Sequence, residues 1–200
     1  FKDYVSRDAA SHAFRVGGAL SGESFNLDFE NLTALRPRGC GFKSQPEASQ
    51  LNRNITVRNL QVEDCGAGTT EQQVNTSALR MVSTSDIRID GYTNRIRGQA
   101  FSGWSALRFE GCNRFYGYGI MSDETSSDGV VVTTSIPEGG SREITDFELQ
   151  FMLTRPGGAG FRMRPAVNGD VIRRGRVDMK VSAAAGAGMV IENRPDGTDG

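Results

Sequence analysis

The residue types able to do chemistry recur along this chain at a regular spacing. Its candidate acids are Glu63, Asp64, Asp86, Asp90, Glu110, Asp123 and Asp128. Hydrolysis of a glycosidic bond needs two carboxyl groups, one to protonate the leaving oxygen and one either about 5 to 5.5 Å away to attack or about 6.5 to 9.5 Å away to activate water. Asp90 and Glu110 are the preferred catalytic pair, because each stands beside an Arg or a Tyr at an outward position. Arg80, Arg108, Trp104, Tyr116 and Tyr118 are the matching binding groups. A guanidinium forks onto a carboxylate, and a flat ring with a polar edge suits the face of a sugar. Elimination would instead need a base such as Arg, Lys, His or Tyr beside a neutralised uronic carboxylate. The single histidine, His12, lies in a polar lead-in and reads as a loop residue, so no Ser-His-Asp or Cys-His set can be assembled.

What positions these groups is a repeat. In the stretch from Asn54 to Gly66, Ile55, Val57, Leu60 and Val62 alternate with polar residues, with one slip at Arg58-Asn59. That pattern reads as a strand, a bend and a second strand. Asn26 to Leu32 repeats it about 28 residues earlier, and the apolar position continues as Leu27, Ile55, Ile87, Phe115, Ile144 and Val171. A second column places Phe14, Phe42, Leu79, Leu107, Phe161 and Met189 in parallel, with Val130 in Gly129-Val130-Val131-Val132 as the remaining copy. Two strand columns per period without helical spacing predict stacked coils that bury a common core. Stacked Asn26 and Asn54, and Asn31 and Asn59, are expected to cap the bends. The outward position of the second column supplies Arg15, Lys43, Arg80, Arg108 and Arg162. Cations in neighbouring coils, about 4.8 Å apart, repel, so either acidic neighbours or an anionic chain should face them. On the first column Glu30, Arg58 and Asp90 alternate in sign, an expected surface ion ladder.

Carried by Asn54-Ile55-Thr56-Val57-Arg58-Asn59, its copy at Asn26 to Asn31 and the Gly-led second column, this pattern resembles the right-handed parallel β-helix of the pectate-lyase-like superfamily, which includes many phage tailspikes. The resemblance implies an all-β, single-stranded parallel β-helix of about six to seven coils with its terminal caps missing. It also implies a protein of the virion surface or extracellular space that trimerises and binds, and often cuts, a polysaccharide, an acidic one if the cation column is its seat. A secreted polysaccharide lyase or hydrolase, and a non-catalytic adhesin or structural spine, are the alternatives. The clustered Asp residues of a pectate-lyase calcium site are not evident, and no cofactor or metal is expected.

The bulk properties agree with one domain over 1–200, with 1–12 as lead-in, 13–193 as coils and 194–200 as a flexible end of what reads as a piece of a longer chain. A net charge of -1 lacks the basic excess of a nucleic-acid binder held by counterion release. Lysine occurs only at 2, 43 and 180, so guanidinium chemistry dominates. The three cysteines, Cys40, Cys65 and Cys112, have no metal-ligand spacing, and Cys40 and Cys65, each just after a strand and before a Gly, read as small buried residues. No apolar run of about 18 residues is present, so no membrane insertion is expected. The polar insertion after Gly66 is the longest loop.

Overall fold

Alternating apolar residues and frequent turn signals produce strands throughout. The computed structural model describes residues 1–17, 23–46, 50–66, 77–95, 105–136, 142–166 and 170–192. In chain order the strands are β1 (Lys2–Arg7), β2 (Phe14–Val16), β3 (Phe25–Leu35), β4 (Phe42–Ser44), β5 (Asn52–Glu63), β6 (Ser77–Val82), β7 (Thr84–Arg95), β8 (Ser105–Glu110), β9 (Asn113–Ser122), β10 (Val130–Thr133), β11 (Ile144–Thr154), β12 (Phe161–Arg164), β13 (Ile172–Ser182) and β14 (Met189–Ile191). Odd-numbered strands form one seven-stranded parallel sheet, here sheet A, and even-numbered strands form a second, sheet B. Each strand therefore pairs with the strand one period away, and the chain winds as a parallel β-solenoid of about six turns.

The core lies between the sheets. Ile55, Val57, Leu60 and Val62 of β5 are buried, as are Leu79 and Met81 of β6 and Leu107 and Phe109 of β8. Aromatic rings continue the packing from rung to rung: Phe109 stacks on Phe115 at 4.1 Å, and Phe115 on Phe147 at 5.0 Å. Cys40, Cys65 and Cys112 are free and buried, and burial pushes all three thiols up, Cys112 to about 12.

The slip at Arg58-Asn59 is a bend inside the strand. Asn31 and Asn59 have φ of 54° and 52°, and the column continues through Gly91 at 77° and Gly119 at 63°. The left-handed region turns the strand and lets Val57 and Leu60 both face inward. Asn59 Nδ2 donates to Asn31 Oδ1 at 2.8 Å, and Asn54 Nδ2 to Asn26 Oδ1 at 2.7 Å, so the expected amide ladders are present. At the strand-entry corner the Asn ladder gives way to Asp86, Arg114, Asp146 and Arg174, all with positive φ. An Arg has no intrinsic preference for that region. Here Arg114 forks onto Asp86 at 2.6 and 2.8 Å, and Arg174 onto Asp146 at 2.5 and 2.8 Å.

The sheet B column stands in register as expected, through Phe14, Phe42, Leu79, Leu107, Val130, Phe161 and Met189. The sheet A column follows Leu27, Ile55, Ile87 and Phe115, then continues as Phe147 and Gly175 in place of the expected Ile144 and Val171. Ile144 is buried at the start of β11, where it pairs with Ile172. Position 175 must be Gly, since a Cβ there would lie 2.1 Å from the Phe147 ring. His12 precedes β2 and is tied to the next rung, its Nδ1 accepting the Cys40 N–H at 2.9 Å.

Candidate functional site

The two sheets present different outer faces. On sheet B the outward column is Arg15, Lys43, Arg80, Arg108, Val131 and Arg162, in register across β2, β4, β6, β8, β10 and β12. Arg80 and Arg108 are each only 8% exposed, and Glu110, outward on β8, only 2%. Arg80 Nη2 donates to Glu110 Oε2 at 2.7 Å, and Arg108 Nε donates to Glu110 Oε1. One buried carboxylate thus joins guanidinium groups from two neighbouring rungs. Burial lowers the Arg108 pKa against the pull of Glu110. Further along, Arg162 pairs with Asp128 at 2.6 Å and with Glu192. Lys43 and Arg15 have no carboxylate within ion-pair distance among the described residues.

The outer face of sheet A is exposed, and several of its charges are matched singly. Lys2 pairs with Glu30 at 3.3 Å, Arg58 with Asp28, Arg88 with Asp90 at 3.3 Å, and Arg176 with Glu148 at 3.5 Å. The expected Glu30-Arg58-Asp90 ladder is in register, yet its contacts run diagonally or along one strand. Exposed pairs of this kind contribute about 0 to 1 kcal/mol each. Tyr116 lies between Arg88 and Glu148 on adjacent rungs, and Tyr118 lies beside Asp90. Partial burial raises the Tyr118 pKa, and the neighbouring Glu148 raises it further.

Between β9 and β11 the register shifts by one residue. The left-handed column ends at Gly119, with no positive-φ residue at Gln150 in the next rung. A bulge of this kind changes the local course of the sheet. Two open grooves lie there. One, of about 280 Å³, is lined by Thr93, Asn94, Met121, Asp123 and Met152 among others. The second, of about 320 Å³, runs past Gly119, Met121, Gln150, Met152, Asp178 and Lys180. Met121 and Met152, 46% and 44% exposed, belong to both.

These positions divide the site residues anticipated from sequence. Tyr116, Tyr118 and Asp90 come together on sheet A, while Arg80, Arg108 and Glu110 come together on sheet B. Asp90 and Glu110 therefore stand on different sheets, and each is engaged by arginine. Trp104, the insertion 67–76 and the tail 194–200 lie outside the described residues. Lys43, Met121 and Met152 were not among the anticipated site residues. Lys43 was legible as a member of the cation column, and Met121 and Met152 stand in the outward column that runs through Thr33, Gln61 and Thr93, whose alternation beyond the bend was not followed that far. Among the described residues no group of three or more His, Cys, Asp or Glu side chains is arranged to hold a metal ion.

The chain matches no family model, no curated protein and no solved structure.

Proposed function

We propose that this solenoid recognises a cell-surface polysaccharide along the outer face of sheet A, in the manner of a phage tailspike. The observation that carries the reading is the outward run of exposed Tyr116 and half-buried Tyr118, followed along the same strand by Met121 at the two grooves. Apolar ring and thioether surface flanked by Asp90, Arg88, Glu148, Gln150 and Asp178 offers what a sugar needs: a flat apolar contact and hydrogen-bonding groups at its edge. Under this reading the functional assembly is a homotrimer at the virion surface or outside the cell, and cleavage, where it occurs, draws on Asp90.

The test is retardation of the protein by a panel of neutral and acidic polysaccharides, with product ends assayed in parallel. Binding that weakens at least tenfold in the Tyr116→Ala/Tyr118→Ala variant, with the fold retained, is the expected result. New reducing or unsaturated ends that vanish in Asp90→Ala would add depolymerase activity. Equal retardation of wild type and variant would overturn the assignment to this face. A structural spine is the second reading, favoured by the pairing of most sheet A charges with a neighbouring Arg or Lys; it requires that no polysaccharide be retarded.

A further inference from the structure

Among the described residues the charges on the outer face of sheet B do not balance. Lys43, Arg80 and Arg108 occupy consecutive rungs in register, about 4.8 Å apart, and the one carboxylate among them, Glu110, pairs with Arg80 and Arg108 but not with Lys43. Arg80 and Arg108 are more than nine-tenths buried and Lys43 is half-buried. Burying a charge without a partner is costly, and a shared counterion leaves an excess of cation in a place poorly screened by water.

Arg80 shows where the excess points. Its Nη2 is used on Glu110, while its Nε is buried and has no hydrogen-bond partner among the described residues. An unpartnered guanidinium N–H beside a second cation is the arrangement that holds an oxyanion by charge-assisted hydrogen bonds. Exposure rises from Arg80 through Lys43 to Arg15, which gives the cluster an open side. The local field is visible on neighbouring groups. Burial lowers the Lys43 pKa, and Arg80 and Arg15 lower it further. His12 is held at about 4 by burial and then by Lys43, Arg15 and Arg80, so it adds no charge at neutral pH.

We propose that Lys43 and Arg80, with Arg15 at the open side and Arg108 locked behind through Glu110, form a binding site for a single oxyanion group: carboxylate, sulfate or phosphate. The site lies on the other sheet from the proposed glycan face and does not depend on it. Two sources share this chemistry, a free inorganic anion and the acidic substituent of a sugar chain.

The experiment is thermal unfolding of the intact chain in sodium sulfate and in sodium phosphate, each against sodium chloride at matched ionic strength. A ligand that binds only the folded state raises Tm saturably. Wild type is expected to show that rise, and Lys43→Gln, which leaves the Arg80-Glu110-Arg108 contacts intact, should need about tenfold more anion for the same effect. Arg88→Gln on sheet A and the Tyr116→Ala/Tyr118→Ala variant should respond as wild type does, which separates this site from the glycan reading. A uronic acid tetramer that stabilises at lower concentration than sulfate assigns a sugar substituent; the reverse order assigns a free anion. Sulfate, phosphate and tetramer curves that all coincide with chloride, or a Lys43→Gln response equal to wild type, would overturn the proposal.

Discussion

The outer faces of sheets A and B carry the same residue types and use them in opposite ways. On sheet A the arginines meet single carboxylates in the open: Arg114 with Asp86, Arg174 with Asp146, Arg88 with Asp90. On sheet B two arginines share one buried acid, and a lysine beside them has no acid of its own among the described residues. In water such contacts are screened and exchangeable, whereas in a buried cluster each charge depends on the others. Sheet A therefore uses charge to hold corners and flank rings, and sheet B concentrates it at one place.

Breaking this contrast should give its largest effect at Glu110. Glu110→Ala leaves Arg80 and Arg108 buried without their counterion and should cost about 3 to 5 kcal/mol of stability in denaturant unfolding. Replacing all three residues by apolar ones of similar volume should recover most of that loss, which would show that the cluster is retained for a reason other than stability.

A smaller effect should appear with pH. His12 titrates at about 4 in the folded chain against an ordinary 6.5, so the unfolded chain takes up the proton first. Its contribution is fully present above pH 6.5 and is lost as the pH falls towards 4. With allowance for its partial exposure, the loss should reach about 1 to 2 kcal/mol. His12→Asn, which keeps an acceptor for the Cys40 N–H, should flatten this part of the stability profile.

The smallest effects belong to the exposed pairs. Asp90→Asn and Arg58→Gln should each change stability by less than about 1 kcal/mol, and high salt should shrink the difference further. Were either to match the Glu110 loss, the distinction between the faces would fail.

Much of this architecture is legible in sequence, and particular residues show where legibility stops. The 28-residue copy of Asn54-Ile55-Thr56-Val57-Arg58-Asn59 gave both the period and the bend, because an Asn in the left-handed region leaves a visible slip in the alternation. The sheet B column was readable to its end, Val130 included, since each copy is a short apolar strand beginning after a small residue. The sheet A column was lost at Ile144, where apolar type alone could not distinguish a strand start from the true partner of Phe115. The one-residue shift between Leu149 and Phe151 removes the bend that marked earlier rungs. For the site, alternation told which side chains point outward, so Arg80, Arg108, Tyr116 and Tyr118 fell on outer faces as expected. It could not tell whether an outer face is covered, and so the burial of Glu110 was unreadable. The separation of Asp90 and Glu110 was legible, since Asp90 stands on the first column and Glu110 continues the second, and pairing them across the two sheets overlooked it.

The most direct test of the account is a parallel titration of one bound polysaccharide into wild type, Tyr116→Ala/Tyr118→Ala and Glu148→Gln. Recognition by the outer face of sheet A predicts at least a tenfold loss of affinity in the tyrosine double variant, a smaller loss in Glu148→Gln, and unfolding midpoints for all three within a few degrees of one another. Full affinity in the tyrosine variant would contradict the claim that the outer face of sheet A recognises the sugar chain.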